Sequence, residues 1–197
     1  MIRNTMNPKF DELHNSFEIE ALNVTAKNYL FLNQAEKKII LEYRNHPAIR
    51  DKMVNSNLIS KESHFDFLQN LKEKKEGHWI LRNEKKIFGA LNLTKYDEKT
   101  DSFMGGNYSN PELIGTGIGF ALNFVLHKLV FEMVESNQMR AIIQRNNKNA
   151  VRMNHVFGGI LEDNFKIGQE AYIEMIFKKE NWTSIKKDTF KYMKYVF

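Results

Sequence analysis

Between Ile114 and Gly119 the chain reads Ile-Gly-Thr-Gly-Ile-Gly, and the apolar run Phe120-Ala121-Leu122 follows at once. Alternating Gly115, Gly117 and Gly119 strip side chains from a loop, so backbone N–H groups can approach an anion closely. A helix starting directly behind such a loop adds partial positive charge at its N-terminus. The combination suits a pyrophosphate. Gly-x-Gly-x-x-Gly would suggest a dinucleotide fold. Here the spacing is Gly-x-Gly-x-Gly, past the middle of the chain and after several expected strands. A glycine-rich turn capping a core helix is the other reading of the same residues. Other chemistry is closed off: with no cysteine, there is no disulfide, no thiolate metal site and no Cys nucleophile.

Such a loop needs elements to hold it, and the pattern supplies them. Residues 1–17 show no period and read as an irregular extension. Glu18 to Thr25 is the first expected strand. Asn33 followed by Glu36 forms a capping box for a helix over Gln34–Asn45, which Pro47 ends. Ser60 caps a second helix, on which His64, Leu68 and Leu71 share a face. Strands are expected at His78–Arg82, at Ile87–Tyr96 with Ile87, Gly89, Leu91 and Leu93 facing one way, and at Asp101–Tyr108. The glycine loop opens a helix running to about Glu135, with Leu122, Leu126, Leu129 and Met133 as its buried stripe. Arg140–Gln144 reads as a strand buried through Ala141, Ile142 and Ile143. Asn147–Val156 is a short helix broken by Gly158-Gly159. A hairpin follows, from Ile160–Asp163 and Glu170–Phe177, then a peripheral helix in 181–197. Antiparallel runs with one β-α-β crossover make the class α+β.

At 197 residues, with 42% hydrophobic content, the chain reads as one domain with a sizeable core. The net charge of +5, with acids interleaved, gives little support for nucleic acid and suits a small polyanion. No apolar stretch reaches membrane-spanning length and no signal peptide opens the chain, so a cytoplasmic protein without a membrane partner is expected. No metal site is expected, and the chain is read as a monomer or homodimer.

The glycine spacing, its place in the chain and the element order over roughly residues 18–180 resemble the GNAT superfamily of N-acetyltransferases. A second stretch, Asn147-Lys148-Asn149-Ala150, matches the Asn-x-x-Ala that often opens the superfamily's next helix. The resemblance implies a mixed, mostly antiparallel central sheet flanked by helices. It implies acetyl-CoA as cosubstrate, bound by Ile114, Gly115, Thr116, Gly117, Ile118 and Gly119 and flanked by Asn147 and Ala150. A backbone N–H near Phe103–Gly106 would polarise the thioester, with Gly105-Gly106 hinting at a bulge. Two positions depart from the pattern. Ile114 replaces the usual Arg or Gln of the loop. Asn154 replaces a Tyr that can protonate the departing thiolate, and an amide only donates a hydrogen bond there.

The N-terminal half carries Arg44-Asn45-His46-Pro47, then Met53, His64 and Thr94-Lys95. These residues resemble the flagellin-modifying acetyltransferases of pseudaminic acid biosynthesis, which act on UDP-4-amino-4,6-dideoxy-N-acetyl-β-L-altrosamine. The resemblance implies that Arg44, Met53, His64, Thr94 and Lys95 line a nucleotide-sugar pocket, with Arg44 and Lys95 on the diphosphate. His64 and His46 are the groups with a suitable ordinary pKa for removing the amine proton. Arg44 as a cap of its own helix and His64 as a satisfied core histidine are the structural alternatives. Ile142, where related enzymes tend to keep an acid, leaves a different amino sugar open. Two other functions fit the same fold: acetylation of protein N-termini, and an inactive acetyl-CoA-binding regulator.

Overall fold

The computed structural model describes residues 8–193 and 196. Alternation of apolar and polar residues builds strands β1 (Phe17–Ile19), β2 (Val24–Asn28), β3 (Gly77–Arg82), β4 (Ile87–Asp97), β5 (Ser102–Ser109), β6 (Gln138–Gln144), β7 (Ile160–Ile167) and β8 (Glu170–Lys178). They form one sheet in the order β1-β2-β3-β4-β5-β6-β8-β7. Neighbours are antiparallel except β5 and β6, which run parallel. Helices α1 (Pro8–Glu12), α2 (Gln34–Asn45), α3 (Pro47–Arg50), α4 (Lys61–Gln69), α5 (Ile118–Lys128), α6 (Lys148–Val156) and α7 (Lys179–Phe190) connect and cover it. Helix α5 makes the crossover that a parallel pair requires.

The two faces of the sheet bury different partners. On one face Leu91, Leu93, Phe103 and Met139 pack with Leu122, Phe124 and Leu126 of α5 and with Trp182 of α7. On the other, Ile80 and Ala90 pack with Ile40 of α2 and Leu68 of α4. Local signals place these helices. Asn33 and Glu36 form the reciprocal capping box of α2. Glu36 also binds Lys27 of β2 and Arg82 of β3, at 2.8 and 2.9 Å, tying the helix start to the sheet. Ser60 caps α4 through Ser63 N–H. Pro47 starts α3, where a missing N–H costs nothing.

Several expectations need correction. Residues 1–7 lie outside the described residues, but 8–17 are not irregular: α1 forms there, and Leu13 is fully buried. Asn28 Nδ2 donates to the Leu13 carbonyl at 2.8 Å, holding the segment down. The expected first strand is two strands, because Glu20–Leu22 is a 3₁₀ turn closed by Asn23 in the left-handed region (φ 52°). Ile87 does not face the way of Leu91 and Leu93. The register slips between Leu81 and Arg82, and Ile87 joins the opposite cluster. Ile142 is half-buried rather than buried. Helix α5 passes into a π-helical stretch, Leu129–Met133, in which Val134 N–H reaches back to the Leu129 carbonyl. The C-terminal helix spans Lys179–Phe190.

His127 on α5 is fully buried between Phe157, Phe177 and Trp182. Its Nδ1–H donates to the Asn123 carbonyl at 2.8 Å, while Nε2 has no partner among the described residues. Burial pushes its pKa down to about 4 against the smaller pull of the Asn123 carbonyl. The unfolded chain takes up this proton below about pH 6.5 and the folded chain does not. Stability is therefore full above that pH and falls toward about pH 4, by roughly 2 kcal/mol at about pH 5. We expect His127→Phe to remove that acid-labile component, read as urea midpoints at neutral and mildly acidic pH. Equal acid losses in both proteins would refute it.

Candidate active site

The glycine loop is shaped by positive φ angles. Gly115 (φ 87°) and Gly117 (φ 88°) are left-handed, and Gly117 is the N-cap of α5. A β-branched residue is strained there. Thr116 N–H is spent on the Leu113 carbonyl, and Phe120 N–H on that of Gly117. Among the described residues the N–H groups of Gly115, Gly117, Ile118 and Gly119 have no acceptor. A Cβ on Gly115 would meet nothing within 4 Å, and one on Gly117 only Val196 at 3.8 Å. Ile114 is exposed at the loop's start. The result is an open cradle of amide donors at the positive end of an eleven-residue helix, which fits an anion such as pyrophosphate.

A gap in the sheet lies beside the cradle. β5 and β6 pair only where Ser102, Phe103 and Met104 meet Gln138, Met139 and Arg140. Beyond this the strands part, although β5 runs on to Ser109 and β6 to Gln144. The loop follows the carboxyl end of β5 and α6 follows that of β6, so both stand at the mouth of the gap. Among the described residues, the buried polar atoms without a hydrogen bond on or beside the parting strands include Gln144 Oε1 and Nδ2 of Asn123, whose Oδ1 accepts from Asn107. An extended ligand with amide groups, anchored at the loop, fits this slot.

Gly105-Gly106 is not a bulge. Both pair regularly, with Leu93 and Asn92, and the register shift falls on β4 between Thr94 and Asp97. Gly105 is glycine because a Cβ there would lie 2.4 Å from Met139 Sδ. Asn147 Oδ1 is engaged in capping α6, accepting from Ala150 N–H at 3.3 Å. Asn154 is buried, and its Nδ2 donates to the Ala150 carbonyl at 2.8 Å. Loss of one neutral hydrogen bond costs ~0.5–1.5 kcal/mol, so Asn154→Ala should lower turnover about 10-fold or less. A collapse beyond about a thousandfold with the fold intact would assign Asn154 a chemical role.

The face under α2 and α4 presents Ala90, Asn92 and Thr94 of β4 beside Met104, Gly106 and Tyr108 of β5. Arg44, at the end of α2, does not cap its own helix. Its Nη2 donates to the Asn55 carbonyl, in the loop that also carries half-buried Met53. Arg44 Nη1 and Arg50 Nε are buried without a hydrogen bond among the described residues, and Arg50 Nε lies 3.8 Å from Asp51 Oδ1. Burial lowers the Arg44 pKa; Tyr108 opposes this and Arg50 adds to it. Tyr108 in turn meets Tyr29, hydroxyl to hydroxyl, at 3.2 Å, and burial pushes it up to about 12. Two guanidiniums with unspent N–H groups, beside two neutral phenols, make an anion-accepting corner.

The other expected residues are dispersed. His64 is buried, its Nε2 paired with the Lys37 carbonyl at 3.1 Å, and burial lowers its pKa. It bridges α4 to α2. His46 is exposed and caps α3, its Nδ1 accepting from Ala48 N–H. Thr94 Oγ1 donates to the Met104 carbonyl at 3.4 Å, and Lys95 is exposed at the register shift with φ 50°. Thr94 pairs with Met104 and Ala90 with Tyr108, so four residues, roughly 13 Å of strand, separate the Lys95 end from the Arg44 corner. The two cations therefore stand at different places along the β4–β5 pair. Sequence reasoning missed Arg50, the Tyr29–Tyr108 pair and a Glu76–His78 contact at 3.3 Å. Period-two counting along β3, which puts His78 on the same side as Ile80, would have flagged the last.

The sequence and the fold have known counterparts. Over 131 residues the chain is 28% identical to "Acetyltransferase PseH" of Campylobacter jejuni, covering 66% of this chain and 80% of that one. The solved structure of C. jejuni N-acetyltransferase PseH in complex with acetyl coenzyme A superposes with a TM-score of 0.62 at 21% identity, covering 79% of this chain and 98% of that one. The chain is thus similar in sequence to an acetyltransferase and shares the acetyltransferase fold. The spermidine N-acetyltransferase of Vibrio cholerae, in complex with CoA and spermine, shares the fold with a TM-score of 0.73 at 15% identity, covering 82% of this chain and 98% of that one. No protein-family model matches the chain. Among the described residues no helix is long and apolar enough to cross a membrane.

Proposed function

We propose that the protein transfers acetyl from acetyl-CoA to the amino group of a nucleotide-linked amino sugar. UDP-4-amino-4,6-dideoxy-N-acetyl-β-L-altrosamine, the acceptor of pseudaminic acid biosynthesis, is the preferred candidate. The observation that carries the acceptor class is the Arg44–Arg50 corner, in which Arg44 Nη1 and Arg50 Nε are buried without a hydrogen bond among the described residues. A nucleoside diphosphate supplies the acceptors those groups lack. The glycine loop and the β5–β6 gap receive the pyrophosphate and extended arm of acetyl-CoA. Transfer is direct: the amine nitrogen bonds to the acetyl carbon, the carbon–sulfur bond breaks, and the thiolate leaves. With a thiol pKa of about 8.5 in model compounds, this leaving group departs without a strong acid, which accommodates Asn154 in place of a tyrosine.

The sequence relationship to PseH supports the pathway assignment. A polyamine acceptor fits poorly beside two guanidiniums that have a single carboxylate, Asp51, paired with them among the described residues, because like charges repel. A peptide N-terminus would call for acidic groups at the same place. Thiol release from acetyl-CoA, measured with UDP- and dTDP-linked amino sugars, spermidine and an N-terminal peptide, tests the proposal. We expect turnover with the sugar nucleotides only. Turnover confined to the peptide or the polyamine would reject it, and binding of acetyl-CoA without any turnover would leave the regulator.

A further inference from the structure

A nucleophilic amine must shed a proton as it is acylated, and both His64 and His46 are engaged in holding helices. His64 is sealed against Lys37 and His46 lies exposed on α3. The acceptor face carries another histidine. His78 on β3 lies directly across from Asn92 on β4, which lies across from Gly106 on β5. Gly106 sits just beyond the last residue of β5 that pairs with β6. Two strand spacings, about 10 Å, separate the His78 backbone from the opening.

The imidazole is half-buried in a built setting. Its ring packs on Tyr29 (centroids 5.6 Å apart) and edge-on to Phe67 of α4 (5.0 Å). Nε2 lies 3.3 Å from Glu76 Oε2. An ionised carboxylate only accepts, so the contact keeps a proton on Nε2 and leaves Nδ1 with its lone pair. Nδ1 has no hydrogen bond among the described residues, and 13% of the side chain remains accessible. The pair itself holds the Glu76 carboxyl below its ordinary range; burial opposes this and Lys74 assists. Glu76, Lys74 and the neutral phenol of Tyr29 are thus the ionisable groups around the ring. Several other polar side chains on this face are poor proton acceptors. Arg44, Arg50 and Lys95 are donors by type, the Tyr29 and Tyr108 phenols are pushed up by burial, and Glu174 is held 3.5 Å from Arg140.

We propose that His78 accepts, through Nδ1 and intervening solvent, the proton released by the acceptor amine, with Glu76 as the residue that positions it. The inference rests on the acetyl-transfer reading above. As the nitrogen–carbon bond forms, the amine proton passes to the imidazole, the carbon–sulfur electron pair leaves with the CoA thiolate, and solvent later removes the proton from the ring.

The test measures kcat/KM against pH, from about 6 to about 9, for wild type, His78→Gln and Glu76→Gln, with acetyl-CoA binding followed by calorimetry. His78→Gln should lose about 100-fold near neutral pH with acetyl-CoA affinity unchanged. The deficit should shrink as pH rises and the amine ionises by itself. Glu76→Gln should keep part of the activity and lower kcat with KM for acetyl-CoA unchanged, because an amide, which donates as well as accepts, no longer fixes the proton on Nε2. That second variant reads the same point if His78→Gln fails to fold. A His78→Gln enzyme within about threefold of wild type and with the same pH profile would overturn the proposal. A wild-type enzyme that acetylates no amine would instead overturn the functional reading, and this inference with it.

Discussion

Gly117→Val should weaken acetyl-CoA binding by about 100-fold or more while leaving the fold in place. Gly117 caps α5 at φ 88°, where a β-branched residue has no comfortable conformation. Valine relieves that strain by rotating the peptide planes on either side. Those planes carry the Gly117 and Ile118 N–H groups, part of the unspent set that also includes Gly115 and Gly119. Losing two charge-assisted hydrogen bonds at ~1.5–3 kcal/mol each exceeds the ~3 kcal/mol that a hundredfold change requires. A Cβ at this site would meet only Val196 within 4 Å among the described residues, so a clash at Cβ is not the cause. Calorimetry of acetyl-CoA binding, beside circular dichroism of the variant, decides the matter. A folded Gly117→Val protein that binds as tightly as wild type would remove the loop from the cosubstrate site.

Arg44→Ala should raise KM for the sugar nucleotide by roughly 10–150-fold, the worth of one charge-assisted contact at ~1.5–3 kcal/mol. KM for acetyl-CoA should barely move, because the glycine loop lies on a different element. A free amino sugar without the nucleotide should be used equally by both enzymes. Arg44 also donates to the Asn55 carbonyl, so the variant could loosen the loop bearing Met53. A loosened loop would lower use of the free sugar as well, which separates the two effects. An Arg44→Ala enzyme that handles UDP-sugars normally would return Arg44 to a structural role and reopen the peptide reading.

What could be read ahead of the structure was what local chemistry dictates. Asn33 with Glu36 and Ser60 with its N–H acceptance are helix starts written in a few residues, and α2 spans Gln34–Asn45 as the caps and Pro47 require. The glycine loop was legible because its spacing and the following apolar run have few structural uses. Features set by pairing between distant strands were not. Ile87 faces the opposite way because the register slips at Leu81–Arg82, which no count along one strand reveals. The distance between Arg44 and Lys95 depends on which residue of β4 meets which of β5. His64 looked chemical from its type, yet its partner, the Lys37 carbonyl, is a tertiary neighbour. His78 looked like part of an apolar strand because its significance lies two strands away.

The most direct test of the account is the structure of the product. Purified protein is incubated with acetyl-CoA and UDP-4-amino-4,6-dideoxy-N-acetyl-β-L-altrosamine, and the nucleotide sugar is recovered and examined by NMR. The account predicts one new acetamide, on the nitrogen at position 4, formed in step with free CoA thiol. Unchanged sugar nucleotide, in a reaction where the same protein acetylates a peptide or a polyamine, would contradict it.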